Sequence, residues 1–177
     1  MKNKRLGAVW FGIYVATVFA ANWALGKWGI VGVGLGLTAP AGVFFAGIAF
    51  TARDGLREAT GQWIPFVAIA VGAACSFFIE DGQKFAIASA VAFGISETLD
   101  AIVYEPLRKR GKTIALVASN SVGFVADSVI FLWLAFGSLA FIEGQLFGKA
   151  MMTVAAVLVL WAYRLIKGKR SARMVLA

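Results

Sequence analysis

Apolar positions in this chain do not alternate with polar ones at a helical or a strand period; they run on for about twenty residues at a time, broken by short polar stretches. Six such runs are legible, at about Leu6–Leu25, Ala39–Glu58, Trp63–Ile79, Phe85–Leu107, Thr113–Leu139 and Leu146–Ile166. A helix needs ~20 residues to cross a ~30 Å hydrocarbon core. The pattern therefore predicts an all-α polytopic membrane protein, with six transmembrane helices in one compact bundle and a single membrane domain over residues 1–177. The breaks have the right chemistry: Glu80-Asp81-Gly82 closes the third run, Arg108-Lys109-Arg110-Gly111-Lys112 follows the fourth, and Glu143-Gly144-Gln145 precedes the sixth.

Composition agrees. The 177 residues are 60% hydrophobic and 15% charged, with a mean hydropathy of +0.82, against about 45–50% and about 25% in soluble domains. The net charge of +8 would suggest nucleic acid as a partner of a soluble protein. Here most basic residues flank apolar runs, so they read as topology signals and contacts to anionic lipid. With the N-terminus inside and six crossings, 14 of the 17 Lys and Arg residues fall inside, among them Arg53, Arg57 and the Arg108–Lys112 run; only Lys27, Lys84 and Lys149 stay outside. That asymmetry predicts an N-in, C-in protein of the inner (cell) membrane. Met1–Arg5 and the first run resemble a secretory signal, but the run is long for a signal's apolar region, and removing it would spoil the charge balance. One cysteine, Cys75, and no histidine leave no intrachain disulfide and no His-containing zinc site. No metal and no cofactor is expected.

Two features depart from plain spans. After the first run, Gly26, Gly29, Gly32, Gly34 and Gly36 interleave with Trp28, Ile30, Val31, Val33 and Leu35. This segment reads as a flexible outer loop with a close-packing face, or else as a re-entrant or gating element. It is not a dinucleotide fingerprint, because no βαβ unit surrounds it. The second run is apolar only as far as Ala52, then reads Arg53-Asp54-Gly55-Leu56-Arg57-Glu58. That cluster is either self-paired at the inner interface or the charged floor of a cavity.

Charges inside spans cost ~2.5–3.5 kcal/mol each at a helix centre on insertion scales, so each needs a reason. Glu97 and Asp100 share a face of the fourth run, with Tyr104 a turn further; no cation lies in that span, so they face the interior, are protonated, or meet a partner from another helix. Asn120 and Asp127 share a face of the fifth run, and Asp127 falls near mid-bilayer. Asn120 alone could be interhelical glue. Asn22 with Lys27, and Gln145 with Lys149, lie near outer ends and could be interfacial. Trp10, Trp28 and Trp63 suit an interfacial belt, as do Trp161 and Tyr163 at the inner face. Converging carboxylates and amides suit a ligand with several N–H donors, or a proton relay.

Taken in order, these segments resemble the VUT family of queuosine-precursor transporters. The resemblance rests on Asn22…Lys27, Pro40-Ala41-Gly42, Phe50-Thr51-Ala52-Arg53-Asp54-Gly55-Leu56-Arg57-Glu58-Ala59-Thr60-Gly61 and Ser96-Glu97-Thr98-Leu99-Asp100-Ala101-Ile102-Val103-Tyr104. It continues through Ser119-Asn120-Ser121-Val122-Gly123, Ala126-Asp127-Ser128-Val129-Ile130-Phe131 and Gly144-Gln145-Leu146-Phe147-Gly148-Lys149. It implies six helices, import of 7-deazaguanines such as 7-cyano-7-deazaguanine, and kinship with the substrate-binding subunits of energy-coupling-factor vitamin importers. The absence of histidine excludes any His-dependent proton step. The candidate substrate-binding residues are Glu97, Asp100, Asn120, Asp127, Asp54, Asn22 and Gln145, with Asp127 and Glu97 as proton-coupling candidates. A carboxylate can accept from N1–H and the exocyclic amine together, an amide can donate to the carbonyl, and an aromatic ring can stack on the base.

The expected function is a multi-pass transporter for a purine-like solute, without its own ATPase, since no Walker motif is present. The alternative is a substrate-binding subunit that needs a separate energising module. An intramembrane enzyme is disfavoured, because neither a His-based metal site nor a nucleophile–base pair appears. The expected partners are the solute and the lipid bilayer, with a second copy or an energising protein as candidate assemblies and no nucleic acid.

Overall fold

A computed structural model describes residues 4–78 and 83–175. Ile79 and the Glu80-Asp81-Gly82 break lie outside the described residues, as does Lys2; so do the side chains of Lys112, Arg164, Lys167, Lys169, Arg170 and Arg173 from the charge count. Six helices are present: α1 Lys4–Trp28, α2 Val43–Thr60, α3 Ile64–Ser76, α4 Gln83–Leu107, α5 Lys112–Phe136 and α6 Ile142–Val175. Among the described residues, four helices are long and apolar enough to cross a membrane: α1, α4, and the Val117–Phe136 and Ile142–Tyr163 stretches of α5 and α6. The other two fall short for different reasons. α3 has 13 residues, about 20 Å of helix. α2 has 18 residues but carries Arg53, Asp54, Arg57 and Glu58 within its length.

The boundaries differ most at α6, which extends beyond the expected Leu146–Ile166 at both ends, and at the start of α2. Ala39 and Pro40 do not begin a helix; they end a β-strand. Ile30–Gly34 (β1) and Leu37–Pro40 (β2) form an antiparallel hairpin in the register Ile30↔Pro40, Val31↔Ala39, Gly32↔Thr38 and Gly34↔Leu37. The glycine-rich segment is thus a two-stranded sheet rather than an irregular loop. Its two-residue turn sets Leu35 at φ 54° and Gly36 at φ 75°, the positive pair that type I′ hairpin turns require. Gly36 adopts this without cost, whereas Leu35 is forced into it and points outward, 83% exposed. One side of the hairpin is apolar: Val33, Ala39 and Val43 form a cluster, with Leu37, Phe44 and Phe147 packed on it. The hairpin therefore lies on the start of α6.

The helices close into a ring. α1 packs on α2, α2 on α6, α6 on α5, α5 on α4, α4 on α3, and α3 back on α1. The α4–α5 contact is the most extensive and the α5–α6 seam the thinnest of these six. Where α2 meets α6 the backbones nearly touch: a Cβ at Gly47 would stand 2.6 Å from the Lys149 carbonyl oxygen and 2.7 Å from Met152 Cβ. Only glycine allows that approach, and Thr153 Oγ1 donates to the Gly47 carbonyl at 3.0 Å across the same contact. Inside the ring, Tyr14, Val18, Phe50, Leu56, Ile69 and Phe93 form one apolar cluster, and Leu25, Phe131, Leu132 and Ala135 a second. Lipid-facing positions stay apolar, with Val154, Leu158 and Val159 of α6 all exposed.

Candidate functional site

α2 sends Arg53 and Arg57, one helical turn apart, toward α4. Arg53 is fully buried. Its Nε and Nη2 donate to Asp54 Oδ1 at 3.0 and 2.7 Å, and Nη2 also donates to Asn120 Oδ1 at 2.9 Å. Its Nη1 stands 2.9 Å from Glu97 Oε2, an ion pair that lacks hydrogen-bond alignment. Arg57 Nη1 donates to Asp100 Oδ2 at 2.7 Å and to Glu97 Oε1 at 3.5 Å, and its guanidinium lies 5.7 Å from the Tyr104 ring centre. Two guanidinium groups thus face three carboxylates, joining α2 to α4 and α5. A planar fork with five donors can bridge several acceptors at once, which an ammonium cannot.

This arrangement settles the cation question for α4. Glu97 and Asp100 meet partners from another helix. The α2 cluster shows part of each reading: Asp54 is held by Arg53 within the cluster while Arg57 turns away to α4, and Arg53, Asp54 and Glu58 line a cavity. Arg53 and Arg57, counted in the sequence as inner-face topology charges, are members of the buried network.

A second cluster lies toward the opposite end of the ring, beneath the hairpin. Lys149 of α6, only 1% exposed, donates to Asp127 Oδ2 and, at 2.9 Å, to Ser128 Oγ. It is not an outer-face charge. The pair pins the hairpin end of the thin α5–α6 seam, called the outer end after the N-in orientation that the charges predict. Asn22, 1% exposed, is not interfacial either: its Nδ2 donates to Ser76 Oγ at 3.1 Å and its Oδ1 accepts from Ser89 Oγ at 2.9 Å, tying α1 to α3 and α4. Gln145 is buried, and its Oε1 has no hydrogen-bond partner. Asn22, Asp127, Gln145 and Lys149 all line one internal cavity of about 50 Å³, whose walls include Phe93 and Phe131.

The single polar pocket expected from the sequence is therefore two compartments. Asn22, Asp127 and Gln145 line the outer one. Asp54 and Asn120 line a larger inner chamber of about 480 Å³, together with Arg53, Glu58, Trp10, Phe50, Thr51, Phe124, Thr153 and Trp161. Glu97 and Asp100 line neither; they pair with Arg53 and Arg57. Trp10 is half-buried against Gly55 on the wall of the inner chamber rather than in a belt, whereas Trp28 and Trp63 are exposed. Lys27 sits 4.9 Å from the Trp23 ring centre and 5.8 Å from that of Trp28, an arrangement suited to the membrane interface.

Arg53, Arg57 and Lys149 were not singled out as site residues from the sequence. The signal was present: three carboxylates in apolar runs demand cations, and Arg53/Arg57 at i, i+4 on α2 match Glu97/Asp100 at i, i+3 on α4.

A helical bundle of this apolarity, with ionisable groups gathered inside around cavities, defines a multi-pass membrane protein with interior polar sites, an architecture compatible with transport. The chain belongs to the family described as "Putative vitamin uptake transporter", whose pattern matches residues 73–166, more than half of its length. No curated protein and no solved structure matches the chain significantly.

Proposed function

We propose that this protein imports a planar, N–H-rich heteroaromatic solute, a queuosine precursor of the 7-deazaguanine type, and that the outer cavity is its recognition site. The observation that carries this is the convergence of Asn22, Asp127, Gln145 and Lys149 on one buried cavity, with the Gln145 carbonyl oxygen unpartnered. A carboxylate and a free amide carbonyl accept from ring and exocyclic N–H groups. Lys149 can donate to a ring carbonyl, and Phe93 or Phe131 offers a face for stacking. At about 50 Å³ the cavity holds a water or two and falls short of the ~300 Å³ of small-molecule sites. This reading therefore takes the conformation as closed on the outer side, with the hairpin over it, and treats opening as part of transport. The N-in, C-in topology goes with this reading: the inner chamber then faces the cytoplasm.

Coupling follows from the same pair. Protonation of Asp127 would release Lys149 from its counterion, a local event that the thin α5–α6 seam would transmit; Glu97 is the second candidate, held between two guanidinium groups. The test is uptake of labelled 7-cyano-7-deazaguanine into liposomes holding the purified chain alone, with a proton gradient imposed. Accumulation driven by the gradient is expected. No uptake from the chain alone, with uptake restored by an ATP-hydrolysing partner complex, would favour the binding-subunit alternative. Failure to bind or move the compound under either condition would end the solute assignment.

A further inference from the structure

Between the outer cavity and the inner chamber stands an aromatic partition. Phe50 lies against Phe93 at 5.2 Å and Phe124 at 5.4 Å between ring centres, and Tyr14 meets Phe93 at 5.6 Å. Phe93 lines the outer cavity; Phe50 and Phe124 line the inner chamber. Cations approach the Phe50 ring from both compartments: Lys149 Nζ at 5.8 Å and the Arg53 guanidinium carbon at 5.2 Å from its centre. Lys149 lies also 5.9 Å from the Phe124 ring centre.

We infer that the inner chamber is a second station for the same solute, in series with the outer cavity, and that the Phe50 side chain is the valve between them. This rests on the transporter reading above and adds a route to it. The inner chamber has the volume that the outer one lacks. Its walls repeat the recognition chemistry in another form: the indoles of Trp10 and Trp161 for a flat ring, Asp54 as acceptor, and Asn120, whose Oδ1 is taken by Arg53, with its amide nitrogen as donor. Asp54 has a side chain 47% exposed, so the chamber reaches the protein surface. It lies where the α5–α6 seam is not pinned by the Lys149–Asp127 pair. Phe93 stands on the outer-cavity side of this contact and Phe50 behind it on the chamber side. Swinging the Phe50 ring parts it from Phe93 and Phe124 and leaves the ion pairs of both clusters in place, since Phe50 takes part in none of them.

Cysteine accessibility tests this without reference to the solute. In a Cys75→Ala background, Thr51→Cys places one thiol on the inner chamber. A membrane-impermeant, cationic methanethiosulfonate reagent is applied to one face of oriented vesicles at a time. With Phe50 intact, labelling is expected from the face carrying the termini and not from the other. Because the outer side opens in the course of transport, Phe50→Ala should raise labelling from the opposite face about tenfold, while labelling from the termini face persists and reports an intact fold. Phe50→Leu carries the same comparison should the alanine variant not fold. Labelling from both faces with Phe50 intact, or no change in either variant, overturns the valve. Occupancy is read separately: 7-cyano-7-deazaguanine in excess should slow Thr51→Cys labelling about fivefold, as a bound ligand shields its site. Uptake of that compound with no such protection overturns the second station but leaves the proposed function standing; an intact valve with no uptake does the reverse.

Discussion

Replacing Lys149 by methionine keeps the length and apolar stem of the side chain and removes its ammonium. Asp127, 5% exposed, then loses the cation to which it is bound. Breaking a buried pair from one side costs about 3–5 kcal/mol, because a charge is left without compensation. Asp127→Asn strands the ammonium instead and should cost a similar amount. The double variant Lys149→Met/Asp127→Asn buries no charge at either position and should lie within about 1–2 kcal/mol of the parent, giving a coupling of roughly 3 kcal/mol or more across the cycle. Unfolding in mixed dodecyl maltoside–SDS micelles, followed by circular dichroism, measures each corner. A coupling below about 1 kcal/mol, the size found for exposed pairs, would refute the reasoning that this pair is buried and structural. Uptake should not recover in the double variant, since both groups also line the proposed recognition site; restored stability with absent transport separates the two roles.

Three further outcomes are expected. Gly47→Ala places a Cβ 2.6 Å from the Lys149 carbonyl oxygen and must push α2 from α6; a loss of about 1–3 kcal/mol, the usual cost of overpacking, should appear in the same unfolding assay, and an unchanged midpoint would contradict the contact. Arg53→Lys keeps a charge but not the fork that reaches Asp54, Asn120 and Glu97 together, so stability should fall by about 1–3 kcal/mol; a neutral result would show that one point charge suffices. Whatever uptake of the deazaguanine Asp127→Asn retains should no longer depend on external pH, where the parent takes up more as external pH falls. A retained slope would move proton coupling to Glu97 or another group.

The helices were legible in the sequence because lipid imposes long uninterrupted apolar runs, and all six predicted starts lie within four residues of the observed ones. At α2 the difference is one of kind, since the apolar run over Ala39–Gly42 belongs to the end of the hairpin and its turn into the helix. Glycines alternating with Ile30, Val31, Val33 and Leu37 carry strand information, but apolar character alone does not distinguish a strand packed on protein from a loop. Burial of Glu97, Asp100 and Asp127 was readable from each residue's own place in a run. The demand for cations was readable too, but Arg53 and Lys149 stand near run ends, where basic residues ordinarily mark topology, and the packing of α2 on α6 and of the ring on itself turns them inward. The division into two chambers was illegible for the same reason: Phe50 is one apolar residue among many until Phe93 and Phe124 from α4 and α5 are set beside it.

The most direct measurement is equilibrium binding of radiolabelled 7-cyano-7-deazaguanine to the detergent-solubilised chain, comparing the parent with Gln145→Leu. This substitution keeps a side chain of similar size and removes the unpartnered amide oxygen at the outer cavity. Saturable binding to the parent, weakened at least about tenfold by the substitution, is expected from the loss of one hydrogen bond in a buried site. Saturable binding of equal strength in both proteins, or none in the parent, would contradict recognition of this solute at that cavity.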